Sequence, residues 1–234
     1  MEIEINQTIL AANEGDAREN RAYFTSKNLF VLNVMSAPGS GKTTLLSQTL
    51  KHLEKDLRCA VIVGDISTDN DARRLMETGV PVTQINTDAF GGDCHLSARR
   101  ILDAASSLPL DAVDLLIVEN IGNLVCPAEF DIGEDLRTVV ISVTEGEDKP
   151  KKYPLMFRVA DAAVYNKTDL LPHLDYDMDK ALEHIAHIHP GMPVFPLSAR
   201  TGEGLESWVA WVKDKVAEKR SPSRGWASGT VKAS

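Results

Sequence analysis

The sequence is short of cysteine, of net positive charge and of long apolar runs. Three of its 234 residues are cysteine, at Cys59, Cys94 and Cys126. An odd number of thiols argues against a disulfide framework, and the start MEIEINQTIL offers neither a basic n-region nor a small-residue cleavage site. Both point to free thiols in a reducing cytoplasm. With 25 basic against 34 acidic side chains, the formal charge is −9 and the sequence pI is about 5.2. Such a surface repels nucleic-acid phosphates and anionic headgroups, so no nucleic-acid partner is expected, and any anion must be held at a locally basic or backbone-lined site. Apolar runs such as 29–35 and 115–118 fall far short of the ~20 residues a membrane helix needs, so no membrane partner is expected either. What is present is the material of a globular core, with 43% apolar and 25% charged residues.

Short Val-, Ile- and Leu-rich runs alternate with segments of helical period. The predicted strands are 29–35, 59–63, 81–86, 115–119, 138–143, 162–166 and 193–197, and the predicted helices are 43–55, 69–77, 95–107, 177–187 and 203–219. That alternation is the βαβ signature of an α/β fold, a mostly parallel sheet covered by helices on both faces. Residues 1–27, with Ile5, Ile9, Ala12 and Ala17 among charges, read as an amphipathic helix packed on the outside. Residues 28–219 form the main domain, and the Ser- and Gly-rich end from 220 to 234 reads as a tail without structure.

After the first strand comes Ser36-Ala37-Pro38-Gly39-Ser40-Gly41-Lys42-Thr43-Thr44, and then an apolar helical segment. Gly39 and Gly41 allow backbone N–H groups to curl around phosphate oxygens, with Ser40 and Thr44 in the same cradle. The helix N-terminus adds its positive end, and Lys42 supplies the only side-chain cation expected at the β- and γ-phosphates. The Thr43 hydroxyl is placed to ligate Mg²⁺. Ser36 stands where the usual pattern has its first glycine, but the phosphate-contacting end is intact, which predicts the three-layer P-loop NTPase fold.

The strand 162–166 runs into Asn166-Lys167-Thr168-Asp169, the N-K-x-D pattern of guanine-binding proteins. The Asp169 carboxylate can accept from both N1–H and the exocyclic amine of guanine, a donor pair adenine lacks, and a buried acceptor left unpaired rejects the wrong base. Asn166 braces the loop, the Lys167 stem lies on the ring, and Ser198-Ala199-Arg200 offers a backbone N–H to guanine O6. GTP and GDP are therefore the expected ligands.

Glu119, ending the strand 115–119 ahead of Gly122, is placed as the carboxylate that orients Mg²⁺ or its water. Asp65, after the strand 59–63, is the favoured second carboxylate, with Asp69 and Asp71 as alternatives; Asp69 reads equally well as a helix N-cap. Cys94 and His95 open a predicted helix, and Cys126 follows the Glu119 loop. Two thiols and an imidazole suit Ni²⁺, Zn²⁺ or copper, whereas Mg²⁺ prefers oxygen. Equally, they are two ordinary small thiols and a capping histidine. Cys59, inside a strand, reads as core, and His184 and His187 read as the solvated face of a helix.

The stretches SAPGSGKTTLL, VIVGDISTDNDA, GGDCHLSA, VENIGNLVCP, TEGEDKPKKYP and NKTDLLP together resemble the hydrogenase maturation GTPases, the HypB family of nickel incorporation proteins. The resemblance covers about residues 6–219. It implies that Cys94, His95 and Cys126 form a metal site shared at a dimer interface. It further implies a slow Mg²⁺-dependent GTPase whose nucleotide state governs homodimerisation and delivery of nickel to the hydrogenase large subunit, beside a partner accessory protein. The related alternative is a chaperone GTPase for urease or a cobalamin enzyme. Some members carry an N-terminal cysteine cluster or histidine-rich tract, and Met1 to Lys27 holds neither Cys nor His, so tight nickel storage is not expected.

Overall fold

A computed structural model describes residues 2–65, 70–87 and 94–221, the side chains of 2–7 excepted. Asp69, the Gly91–Asp93 run before Cys94, and the tail from 222 onward lie outside the described residues.

Among the described residues the strands are β1 (Phe30–Ser36), β2 (Cys59–Asp65), β3 (Val82–Asn86), β4 (Leu115–Gly122), β5 (Leu136–Ser142), β6 (Ala162–Asn166) and β7 (Val194–Pro196). They form one seven-stranded sheet in the order β3-β2-β4-β1-β5-β6-β7, with every neighbouring pair parallel. The helices are α1 (Glu2–Ser26), α2 (Lys42–Leu53), α3 (Asn70–Met76), α4 (Ala98–Ala105), α5 (Cys126–Glu129), α6 (Lys149–Lys152), α7 (Pro154–Val159), α8 (Met178–Ile188) and α9 (Leu205–Arg220).

The central strands are apolar almost throughout because both faces are covered. Phe30, Leu32 and Val34 of β1 point to one face, where Leu45, Leu46 and Leu50 of α2, Leu75 of α3 and Trp208 and Val212 of α9 bury them. Val31 shares the opposite face with Ile62 and Val118, under Phe24 of α1 and Ile101 of α4. Farther along that face, Val139, Ile141 and Tyr165 pack with Met156 and Phe157 of α7 and Ile185 of α8. The Trp208 indole N–H donates to Thr49 Oγ1 at 3.0 Å, which pins α9 to α2.

Four expectations need correction. On α1, Ile9 and Ala12 are exposed; the stripe that packs inward is Asn13, Ala17, Asn20 and Phe24. Half of that stripe is polar because its partners are backbone groups. Asn13 accepts from Ala98 N–H (2.9 Å) and donates to Asp131 O (2.7 Å), while Asn20 donates to Ala98 O (2.7 Å) and Ile132 O (3.0 Å). Second, α4 starts at Ala98, with Ser97 extended at φ −83° and ψ 155° as its N-cap. Cys94 and His95 therefore precede the helix, held toward residues 123–130 by contacts described below. Third, β4 continues past Glu119 to Gly122, which puts Glu119 inside a buried strand. His184 also departs from the solvated reading, being buried with Nδ1 at 3.0 Å from Glu147 O.

Because every strand runs the same way, Ser36, Asp65, Gly122, Ser142 and Asn166 all end at one edge. In an open parallel sheet, that is where ligands are received.

Candidate functional site

The loop between β1 and α2 enters with Ser36 and turns through Gly39 (φ +75°) and Gly41 (φ +89°), left-handed conformations that disfavour side chains. At Gly41 space forbids a side chain as well, since a Cβ would lie 2.5 Å from Asn166 Nδ2. Asn166 stands that close because its amide donates to Ser40 O at 2.9 Å. The guanine-type motif on β6 and the phosphate loop after β1 are thus built against each other. The Lys167 ammonium strengthens the joint by donating to Gly39 O at 2.6 Å.

Behind the loop, Glu119 is 1% exposed. Its Oε1 accepts from the Lys42 ammonium at 3.0 Å and the Thr43 hydroxyl at 2.7 Å, whereas Oε2 is buried with no hydrogen-bond partner. A buried carboxylate oxygen without a partner costs about 1–3 kcal/mol, so it marks a place where a ligand is wanted. The Glu119 partners Lys42 and Thr43 line a cavity of about 450 Å³, together with Asp65 and Asp71. Oxygen donors of this kind suit a hard cation such as Mg²⁺, so the residues present fit that ion.

Arg74 of α3 lines this cavity too, donating to Thr44 Oγ1 at 2.9 Å and standing 4.0 Å from Asp71. Lys42 is therefore not the cavity's only side-chain cation. Nothing in the run DARRLMETG distinguishes Arg74 from a solvated helix arginine. Only the packing of α3 on α2 brings it to Thr44.

The second cleft, of about 200 Å³, is lined by Asn166, Lys167, Asp169, Leu170, Ala199 and Arg200, and it shares Gly41 and Thr44 with the first. The Ser198 hydroxyl donates to Asp169 Oδ1 at 2.6 Å, which fixes the carboxylate expected to meet a guanine base. Asn166 Oδ1 accepts from Lys167 N–H (2.8 Å) and Ala199 N–H (3.0 Å). That second bond ties the Ser198-Ala199-Arg200 element, expected near guanine O6, to the Asn166 side chain. Lys167 sits at φ +64°, its stem lining both cavities.

On the far side of the β4 end, Gly122 approaches so closely that a Cβ there would be 3.2 Å from Pro38 Cα. The chain then passes through Asn123 to Cys126 at the start of α5. Cys94 Sγ and His95 Nδ1 lie 4.0 Å apart, and the His95 ring stacks on Phe130 at a centroid distance of 3.6 Å. Asn123 donates to Cys94 O at 3.4 Å and accepts from Val125 N–H at 2.8 Å. Cys94 and Cys126 are half-buried. Among the described residues, no three of His, Cys, Asp or Glu converge on a common metal position. Cys94, His95 and Cys126 are thus neighbours of one loop cluster without forming a finished three-ligand centre. Cys59 is buried in β2, where desolvation, aided by the Asp114 charge, pushes its thiol up to about 12.

The geometry is that of a nucleotide-binding loop, and the comparisons agree. Residues 30–196 match the family described as CobW/HypB/UreG, nucleotide-binding domain. The hydrogenase maturation factor HypB of Azotobacter chroococcum mcd 1 is 50% identical over 211 residues, which cover 90% of this chain and 68% of that protein. The chain belongs to the HypB hydrogenase maturation factor family. The HypB of Escherichia coli strain K12 is 48% identical over 213 residues, covering 91% of this chain and 72% of its own. Among solved structures, the crystal structure of HypB from Helicobacter pylori in complex with nickel superposes with a TM-score of 0.83 at 36% identity, over 92% of this chain and all (100%) of that one. The fold is that of the P-loop GTPases, and family membership carries nucleotide hydrolysis with it.

Asn123, Asn13 and Asn20 are functional candidates that motif reading passed over. Asn123 lies inside VENIGNLVCP, where it was visible without a role. The two helix asparagines offered only their spacing along α1.

Proposed function

We propose that this chain is a Mg²⁺-dependent GTPase that acts as a nickel metallochaperone in hydrogenase maturation. In this reading GTP brings two copies together, and their paired Cys94, His95 and Cys126 sets take up or hand on the metal. The observation that carries the reading is adjacency. The segment from Gly122 to Cys126 begins against the phosphate loop, and its Asn123 donates to the carbonyl of Cys94, whose Sγ lies 4.0 Å from His95 Nδ1.

Thr43 and Glu119, with Asp65 beside them, are the residues to hold Mg²⁺, which when bound neutralises charge developing on the phosphates. The chain's own contribution is positional. Lys42 and the loop amides hold the phosphates, Asp169 and Asn166 orient the base, and Glu119 fixes Lys42 and Thr43. Nickel is cargo. Two thiols and an imidazole form a borderline-to-soft set that accepts Ni²⁺ and Zn²⁺ alike and leaves open positions for transfer. The recipient is the hydrogenase large subunit, reached with an accessory maturation protein, and the setting is the cytoplasm. Among the described residues no helix is long and apolar enough to cross a membrane.

The test is GTP turnover with and without Mg²⁺, beside Ni²⁺ and Zn²⁺ calorimetry in the GDP and GTP-analogue states. The reading expects turnover that needs Mg²⁺ and falls sharply in Glu119→Gln, and metal isotherms that differ between nucleotide states. Identical isotherms, unaffected by Cys94→Ala and Cys126→Ala, would remove the metal half and leave the GTPase.

A further inference from the structure

The span between the two thiols is fastened at both ends and bridged in the middle. At its outer ends α1 ties Ala98, three residues after His95, to Asp131 and Ile132, five and six residues after Cys126, through Asn13 and Asn20. In the middle one side chain links the backbone of Cys94 to the turn that leads into Cys126. The Asn123 amide donates to the Cys94 carbonyl at 3.4 Å, and its Oδ1 accepts from the N–H of Val125, the residue before Cys126, at 2.8 Å. Its two neighbours are seated on the phosphate loop: Gly122 against Pro38, and the buried Leu124 in one apolar cluster with Ala37 and Met35.

We infer that Asn123 is a positioning residue that sets the separation of the Cys94 and Cys126 thiols and ties it to the state of the phosphate loop. The inference rests on the metal reading above and deepens it. Asn123 touches no metal in this scheme; it acts through the backbone of both thiol-bearing segments. A shift of Gly122 toward or away from a γ-phosphate carries Leu124 and Asn123 with it, and so moves Cys94 relative to Cys126. Thiol separation controls how many ligands one ion can collect, so nucleotide state becomes metal affinity by ordinary linkage.

Asparagine suits the position because it has a donor and an acceptor on one short arm, and the two can be separated by substitution. Asn123→Asp keeps the acceptor that makes the turn with Val125 but cannot donate to Cys94 O. Asn123→Ala loses both. An aspartate also adds negative charge beside the thiols, which attracts a cation but opposes the thiolate that binds it, so Asn123→Asp is compared with Asn123→Ala, which adds no charge.

The experiment titrates full-length wild type, Asn123→Asp, Asn123→Ala, Cys94→Ala and Cys126→Ala with Ni²⁺ by calorimetry in the GDP and GTP-analogue states. GDP affinity without metal and the thermal midpoint are measured as checks of the fold. Both Asn123 variants are expected to bind Ni²⁺ about tenfold more weakly, as loss of an outer partner of a metal ligand does. They also lose the difference between nucleotide states, while Asn123→Asp keeps GDP affinity within about threefold and a near-wild-type midpoint. If the cysteine variants lose nickel and Asn123→Asp matches wild type in both states, the inference is overturned and the metal reading stands. If the cysteine variants bind as wild type does, the metal reading falls and takes the inference with it.

Discussion

The nucleotide cavity and the thiol cluster share one edge of one sheet, and the chain completes them to different degrees. In the nucleotide cavity, residues far apart in sequence are locked to one another by side-chain hydrogen bonds. Asn166 holds Ser40, Lys167 holds Gly39, Glu119 holds Lys42 and Thr43, and Ser198 holds Asp169. At the thiol cluster the bonds run through main chain and through Asn123, and among the described residues no three ligands meet. Electrostatic preorganisation favours a reaction done in place. An underfilled ligand set favours an ion that must leave, because each additional thiolate slows release.

The largest expected effect sharpens the first half of that contrast. Lys42→Ala removes the cation that faces both Glu119 and the phosphates, and GTP turnover should fall by about 10²-fold or more in a steady-state phosphate-release assay. Near-wild-type turnover would put the chemistry elsewhere. Next comes base selectivity. Competition binding should favour GTP over ATP by about 10³-fold, and Asp169→Asn should move the preference toward xanthine nucleotides, because the carboxylate needs the donor pair that guanine presents. Equal competition by ATP would break the contrast at its firmer end.

A smaller effect probes the thiols directly. Under native conditions at pH 8, a thiol-reactive chromophore should label the two half-buried cysteines, Cys94 and Cys126, and reach Cys59 only after denaturation. One reactive thiol instead of two would mean that the cluster is more enclosed than the loop geometry allows. The smallest effect lies at high pH. The folded Cys59 thiol is raised from 9.0 to about 12. Between those values the unfolded chain has lost a proton that the folded chain keeps, so stability falls as pH rises through this window and is full below it. Replacing Cys59 with valine should flatten the slope of thermal midpoint against pH between 9 and 11. An unchanged slope would assign it to other groups.

The strands, the longer helices, and most residues lining the phosphate and base clefts were legible because each rests on a local pattern, whereas the short helices α5, α6 and α7 were not. Apolar runs and turn glycines mark strands and loops in any context, and Gly39 to Thr43 and Asn166 to Asp169 are contiguous. What stayed hidden depends on who stands opposite. The inward face of α1 could not be read from hydrophobicity because Asn13 and Asn20 bury polar groups against the backbone of Ala98, Asp131 and Ile132. Arg74 looks like any helix arginine until α3 packs on α2. The start of α4 moved from His95 to Ala98 because His95 stacks on Phe130 and the Cys94 carbonyl is drawn to Asn123, both contacts across more than 25 residues. Ala199 lines the base cleft, as its motif led one to expect, and its amide also braces Asn166, a contact that the motif does not reveal.

Nickel stoichiometry and oligomeric mass, measured together by native mass spectrometry on protein loaded with GDP and with a non-hydrolysable GTP analogue, test the central contrast most directly. The account predicts one nucleotide per chain in both states, and nickel retained with the analogue mainly by a dimer at fewer ions than chains, a species lost in Cys126→Ala. One nickel per monomer, held equally with GDP and with the analogue, would contradict it, because the thiol cluster would then be complete within a single chain.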